Sequence, residues 1–208
     1  MIKEIDIQFD SEKPFFLTKS IVNKLLIQNE VSIEKQAKSV IDLYELEKQI
    51  LNHSHVKDVS LYMTIDGQLI TLIEQRQPIA RIMTSPASYY IDSELVKLPL
   101  SENYSARVPL VTGVKSDKDL IEVKYILLKI IQDDFLQKEI VGIHLDPNME
   151  CMMTVRSGNY KIEFGKLVET DHKINKLKAF YKKIFIDSMI HKYKTINIKY
   201  HNQVVGVK

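Results

Sequence analysis

The side chains of this 208-residue chain that could do chemistry are six histidines, one cysteine and a few acidic groups. His53 and His55 sit two apart in a loop, while His144, His172, His191 and His201 are scattered. Metal ligation needs ligands repeated at short, regular spacing, and no HxxxH, HExxH or Cys/His pattern occurs. No metal is expected, and the histidines read as solvated or capping groups. Cys151 stands among Met149, Met152 and Met153, which suits a buried small hydrophobe better than a nucleophile. Asp133, Asp134 and Glu163 form no discernible acid/base pair and read as solvated element ends. The six glycines are all isolated, so neither a phosphate loop nor a GxGxxG or GxSxG turn can be built. The expectation is a protein without catalytic residues or cofactors.

Composition agrees with a binding or structural role. Hydrophobic residues make up 45% of the chain and charged residues 27%, ordinary for a globular protein. The net charge of +2 indicates no strong field for a polyanion, and the lysines of the 173–194 stretch carry no interleaved aromatics. Lys173, Lys176 and Lys183 therefore read as a solvated helix face, and nucleic acid is not expected as a partner. A lone cysteine forms no internal disulfide and excludes a disulfide-built scaffold. No stretch approaches the ~18–20 apolar residues of a membrane helix. An alternating strand follows Met1 at once, which suits a cytosolic protein or the soluble part of a longer one.

The elements that would position a binding surface follow from periodicity. Ile2–Phe9 alternates as a strand, and Phe15–Ile27 has helical spacing with Thr18 or Ser20 as cap. After the polar stretch Gln28–Lys38, Ile41–Leu51 reads as a second helix with Leu43, Leu46, Ile50 and Leu51 on its apolar stripe. Val59, Leu61, Met63 and Ile65 alternate as a strand, Asp66-Gly67 suits a two-residue hairpin turn, and Leu69–Ile73 returns. Pro78 marks the end of that ladder, and Glu74, Arg76 and Pro78 read as a domain hinge. The order β-α-α-β-β gives a small sheet with two helices on one face.

Beyond it, a short hairpin turns at Asp92-Ser93-Glu94, and an apolar run from Arg107 closes at Gly113. One long helix is expected over Lys118–Gln137, then strands at Ile140–Leu145, Met152–Val155 and Tyr160–Phe164. A helix over Lys173–Lys192 faces inward with Ile174, Leu177, Tyr181 and Ile184, and Thr195–Tyr200 with Val204–Lys208 forms a last strand pair. A terminal strand of this kind suits a sheet edge, whose unpaired N–H and C=O groups can take a partner strand. The fold class is α+β in two domains: a β-α-α-β-β module over 1–82 and a mixed α/β domain with a curved, mainly antiparallel sheet over 83–208.

Five segments in this order resemble the bacterial FtsQ/DivIB cell-division family. His55-Val56-Lys57-Asp58-Val59 before the hairpin is similar to that family's POTRA module. Glu74-Gln75-Arg76-Gln77-Pro78-Ile79-Ala80 resembles its E-x-x-P-[IV]-A segment. Tyr90-Ile91-Asp92 resembles a family hairpin, with Glu94-Leu95 where glycine is usual. Val108-Pro109-Leu110-Val111-Thr112-Gly113 resembles L-P-x-[LV]-x-G. Phe164-Gly165-Lys166, a helix through Leu177, and Ile196-Asn197-Ile198-Lys199-Tyr200 resemble the family's ending, with Asn197 and Lys199 in place of its acidic and arginine residues.

The resemblance implies a POTRA domain followed by the FtsQ-type β domain, and no catalysis. It implies a divisome scaffold in the inner membrane, single-pass, with this region on the extracytoplasmic (periplasmic) side at the septum. The membrane helix would be absent from this chain. Expected partners are FtsB- and FtsL-like coiled-coil proteins, with other divisome members through the POTRA domain. The partner-binding residues carried over by position are Tyr200, Asn202, Gln203, Val204, Val205, Gly206 and Val207. Val204, Val205 and Val207 equally suit completion of the sheet, and Tyr200 suits either a core position with a surface hydroxyl or an interface anchor. The alternative is a POTRA-type chaperone or docking module of an outer-membrane assembly or secretion system.

Overall fold

The computed structural model describes residues 2–10, 16–26, 42–102, 104–187 and 192–208. Phe15, the polar stretch Gln28–Lys38, Ile41 and His191 lie outside the described residues. The architecture is α+β, in two compact units: Met1–Gln77 with Ser101–Ala106, and Pro78–Leu100 with Arg107–Lys208.

The first unit runs β1 (Glu4–Phe9), α1 (Lys19–Leu26), α2 (Leu43–Leu51), β2 (Val56–Met63) and β3 (Gln68–Gln75). Thr18 caps α1 by accepting from Ile21 N–H at 3.2 Å, and Asp42 caps α2 by accepting from Tyr44 and Glu45 N–H. β3 lies centrally, parallel to β1 and antiparallel to β2. The core joins Ile7, Leu61, Leu69 and Ile73 of the sheet to Val22, Leu26 and Ile50 of the helices. Three expectations change here. Ile65 is 99% exposed, because the hairpin connection is four residues long, Thr64 to Gly67, with the positive φ of 94° at Gly67. Leu51 is exposed at the helix end rather than on the apolar stripe. His55 is also not solvated: it is buried, with its ring stacked on Phe16 at 4.5 Å.

The second unit opens with β4 (Pro78–Met83), whose first residue is the Pro78 expected at the hinge. Proline at the first residue of a strand forfeits no essential ladder bond. β4 pairs with β5 (Ser88–Asp92) and with β7 (Leu110–Thr112), and β6 (Lys97–Leu98) pairs with β5. The two compact units part after Gln77. The β5–β6 turn is held by Asp92, whose carboxylate accepts from Glu94 and Val96 N–H at 2.9 Å. Leu95 takes φ 67° there, left-handed geometry that costs a non-glycine residue about 1 kcal/mol. It does so where the resembled hairpin has glycine.

The expected long helix is two: α3 (Asp117–Ile131) and α4 (Asp134–Glu139). Asp133 ends the first run and caps the second, accepting from Phe135 and Leu136 N–H. β8 (Ile140–Leu145), β9 (Glu150–Val155) and β10 (Lys161–Lys166) follow, then α5 (Thr170–Asp187), β11 (Thr195–Asn197) and β12 (Val205–Val207). The sheet order is β12-β11-β10-β9-β8-β7-β4-β5-β6, an open mixed sheet in which antiparallel pairs predominate. Helices α3 to α5 bury Leu120, Val123, Leu127, Leu136, Leu177 and Tyr181 against Ile82, Val111, Ile143, Met153 and Ile162 of the sheet. β12 is left at one edge.

Candidate partner-binding edge

The orientation of β12 follows from the bonds of its neighbours. Lys161 N–H donates to Lys194 O, and Ile198 N–H donates to Glu163 O, so Ile196 between them turns to β10, while Lys194 gives its own N–H to Val207 O. Main-chain polar groups alternate sides along an extended strand, so Thr195 and Asn197 turn to β12. Their register partners are Val207 and Val205. Those two valines spend their N–H and C=O groups inward, and Gly206 is left with its N–H and C=O directed at the free edge.

Side chains alternate the other way. Val205 and Val207 are 37% and 50% exposed, and they continue two rows across the open sheet face: Glu163, Asn197, Val205 and Lys161, Thr195, Val207. On the opposite face a Cβ at Gly206 would collide with the Tyr193 ring. Tyr193 in turn meets Phe180 of α5 edge-on, with ring centroids 5.8 Å apart.

Helix α5 holds the chain that leads into β12. Lys176 donates from Nζ to Ile198 O at 3.2 Å and also to Tyr200 O. Lys173, expected to face solvent, is instead buried: its Nζ donates to Lys166 O at 2.7 Å and lies 5.0 Å from the Phe164 ring centroid. Burial holds both ammonium groups below the usual lysine range. His172 Nε2 lies 2.7 Å from His201 O, the two imidazoles stack at 4.7 Å, and His201 Nδ1 is 3.3 Å from Glu169 Oε2.

The structure brings the carried-over residues together around this edge. Tyr200 is 52% exposed, and Asn202 and Gln203 are exposed beside it. Asn202, Gln203 and Val204 form one side of a groove of about 290 Å³, with Lys176, Phe180 and Lys183 on the other. Val204 also packs against the main core. The residues expected at the hinge fall in one short stretch from the end of β3 to the start of β4: Glu74 in β3 pairs with Lys57 at 2.5 Å, Arg76 N–H donates to His55 O at 2.9 Å, and Pro78 begins β4.

Sequence reasoning missed three contributors. Tyr193 carries no motif, although an isolated glycine inside a terminal strand signals a close approach. Lys176 reads as a solvated charge in the sequence, since helical periodicity cannot reveal that two carbonyls of a distant segment lie over it. The third is a buried polar set: Glu139, 5% exposed, accepts from Ser157 Oγ at 2.5 Å and Tyr160 OH at 2.9 Å, and Tyr160 OH lies 2.9 Å from Tyr181 OH. Burial pushes the Tyr160 phenol up to about 12 and raises Tyr181 as well. These groups bind one another and stabilise the interior. Burial likewise pushes the Cys151 thiol up to about 12, which leaves it protonated at neutral pH. Among the described residues no group of three or more His, Cys, Asp or Glu could hold a metal ion, and no helix is long and apolar enough to cross a membrane.

These features define a two-part α+β protein: a POTRA-like unit followed by a larger open-sheet unit with β12 at one edge. Comparison with family models gives the same division. Residues 3–74 match the POTRA-like domain, and residues 77–207 match the model described as FtsQ/DivIB, C-terminal related. The chain belongs to the FtsQ/DivIB family, a family of non-catalytic, membrane-associated division proteins. No curated protein matches it.

Proposed function

We propose that the chain is a non-catalytic scaffold of the bacterial divisome that accepts a strand from an FtsB- or FtsL-like partner along β12. The observation that carries this reading is the outward N–H and C=O of Gly206 on the free edge of a sheet of the FtsQ/DivIB type. An added strand gains main-chain bonds there, while its alternate side chains reach Val205 and Val207 on one face. Tyr200, Asn202, Gln203 and Val204 carry the partner's flanking residues into the α5 groove. The work is done on the extracytoplasmic side of the inner membrane at the septum, where the scaffold links early and late division proteins. Glu74, Arg76 and Pro78 serve as the passage from the POTRA domain to the β domain. The POTRA-like unit by itself also suits a docking module of an outer-membrane assembly, but here an open nine-stranded sheet follows it rather than a closed barrel.

The test is Val205→Pro, which deletes an inward N–H and detaches β12 from Asn197. Calorimetry with the FtsB-like protein of the same organism is expected to show no binding, with the thermal transition of the core retained. Normal affinity in this variant overturns strand addition at β12.

A further inference from the structure

Among the described residues of the POTRA-like unit, α1 and α2 pack on one face of the sheet and leave the other uncovered. Residues of β1, β2 and β3 that meet α1 and α2 are Ile7, Leu61, Leu69 and Ile73. The alternate residues face the other way, and register places them in rows: Asp6, Ile70 and Tyr62, then Gln8, Leu72 and Ser60. The middle of this face is apolar: Tyr62 is 47% and Leu72 37% exposed, while Ile70 beside Tyr62 is buried at 7%. Glu4, Asp6 and Asp10 border it along β1, and Asp58 and Glu74, themselves register partners, border it at the far end. Lys57 answers part of that charge through its ion pair with Glu74. The chain as a whole carries a net charge of +2, so the acidity is local to this face.

A hollow of about 370 Å³ opens between the carboxylates, lined by Gln8, Asp10, Asp58, Ser60, Leu72 and Glu74. It is roomy enough for a large apolar side chain seated on Leu72. The carboxylates are not gathered for a cation, since no group of three or more acidic or histidine ligands could hold a metal among the described residues. Acidic borders repel anionic lipid and nucleic acid alike. Glu4 and Asp6 stand at alternate residues of β1, about 6.6–6.8 Å apart in a strand, and Asp10 follows just past its end with Gln8 between; this is also the spacing of alternate side chains in an extended segment laid beside it.

From this we infer that the open face of the POTRA-like sheet docks an extended basic segment of a partner protein, with lysine or arginine at alternate positions and an apolar side chain in the hollow over Leu72. The surface is separate from the β12 edge and needs no strand addition. Its attraction is between exposed charges, so it is fast to form and sensitive to salt.

The experiment uses the full chain, labelled with nitrogen-15, titrated with the synthetic peptide acetyl-Lys-Val-Lys-Leu-Lys-Val-Lys-amide. The expected result is movement of the Gln8, Ser60 and Leu72 amide signals, with affinity about tenfold weaker in the variant Asp6→Asn/Asp10→Asn/Asp58→Asn. Asparagine keeps the acceptor that Asp6 offers to Gln8 Nε2 and Asp10 to Gln75 N–H, so this variant keeps its fold. The glutamate counterpart of the peptide is expected to move none of these signals. Equal binding by the neutralised variant, equal binding of the glutamate peptide, or signals moving only elsewhere overturns the inference. Because Val205→Pro leaves this face intact, the loss of one surface is readable without the loss of the other.

Discussion

Gly206 is a glycine because the Tyr193 ring lies where its side chain would stand. The strand that offers its main chain to solvent is thus backed by an aromatic plate, which meets Phe180 of α5. Replacing Gly206 with alanine is expected to push Tyr193 aside, loosen β12 and weaken FtsB-like partner binding about tenfold, the order of a 1–2 kcal/mol strain. Tyr193→Ala in the same chain is expected to restore part of the loss, and a double-mutant cycle by calorimetry measures that coupling.

Lys176 ties α5 to the segment entering β12 through the carbonyls of Ile198 and Tyr200. Lys176→Met keeps the stem and deletes the donor, leaving both carbonyls unpaired. The expected cost is about 1–3 kcal/mol in the order of that segment. It is read as faster amide exchange from Tyr200 to Val207 and reduced partner affinity, with Lys176→Arg falling between the two.

The buried phenols make the second unit sensitive to alkali. Tyr160 is held up to about 12 by burial, whereas in the unfolded chain it ionises near its usual value of about 10. Below about pH 10 both states carry the proton and stability is unaffected; as pH rises through about 12 the unfolded state loses it first and stability falls. Thermal melts between pH 9 and 12 are expected to decline less steeply in Tyr160→Phe than in the unaltered protein.

Gly113 ends β7 with φ 86°, and a Cβ there would collide with the carbonyl of Leu145. Both the dihedral and the space exclude a side chain. Gly113→Ala is expected to lower stability by about 2 kcal/mol or more, measured by urea denaturation, because backbone rather than a movable side chain must give way.

Several of these features were legible in the residue order and several were not. The terminal strand, the β-α-α-β-β module and the inward stripe of Ile174, Leu177, Tyr181 and Ile184 follow from periodicity, a local signal. The break at Asp133 was missed because the apolar spacing of α3 and α4 runs on across it, while the cap that separates them is a single side-chain choice. Strand β4 was missed because Pro78 looks like a terminator unless its neighbours are known.

Periodicity and motif order alone carry the β-α-α-β-β module, the motifs of the FtsQ/DivIB pattern and the absence of a recognisable catalytic spacing. Which groups of β12 face outward depends on the parallel pairing of β10 and β11, residues more than thirty positions apart, and so on contacts no local pattern encodes. Tertiary packing also settles that Lys173 and Lys176 hold carbonyls instead of meeting solvent, that Tyr193 backs Gly206, and that the carboxylates of β1, β2 and β3 share one face. Local spacing sets where a side chain points along its own element; what it meets there is set by the elements packed beside it.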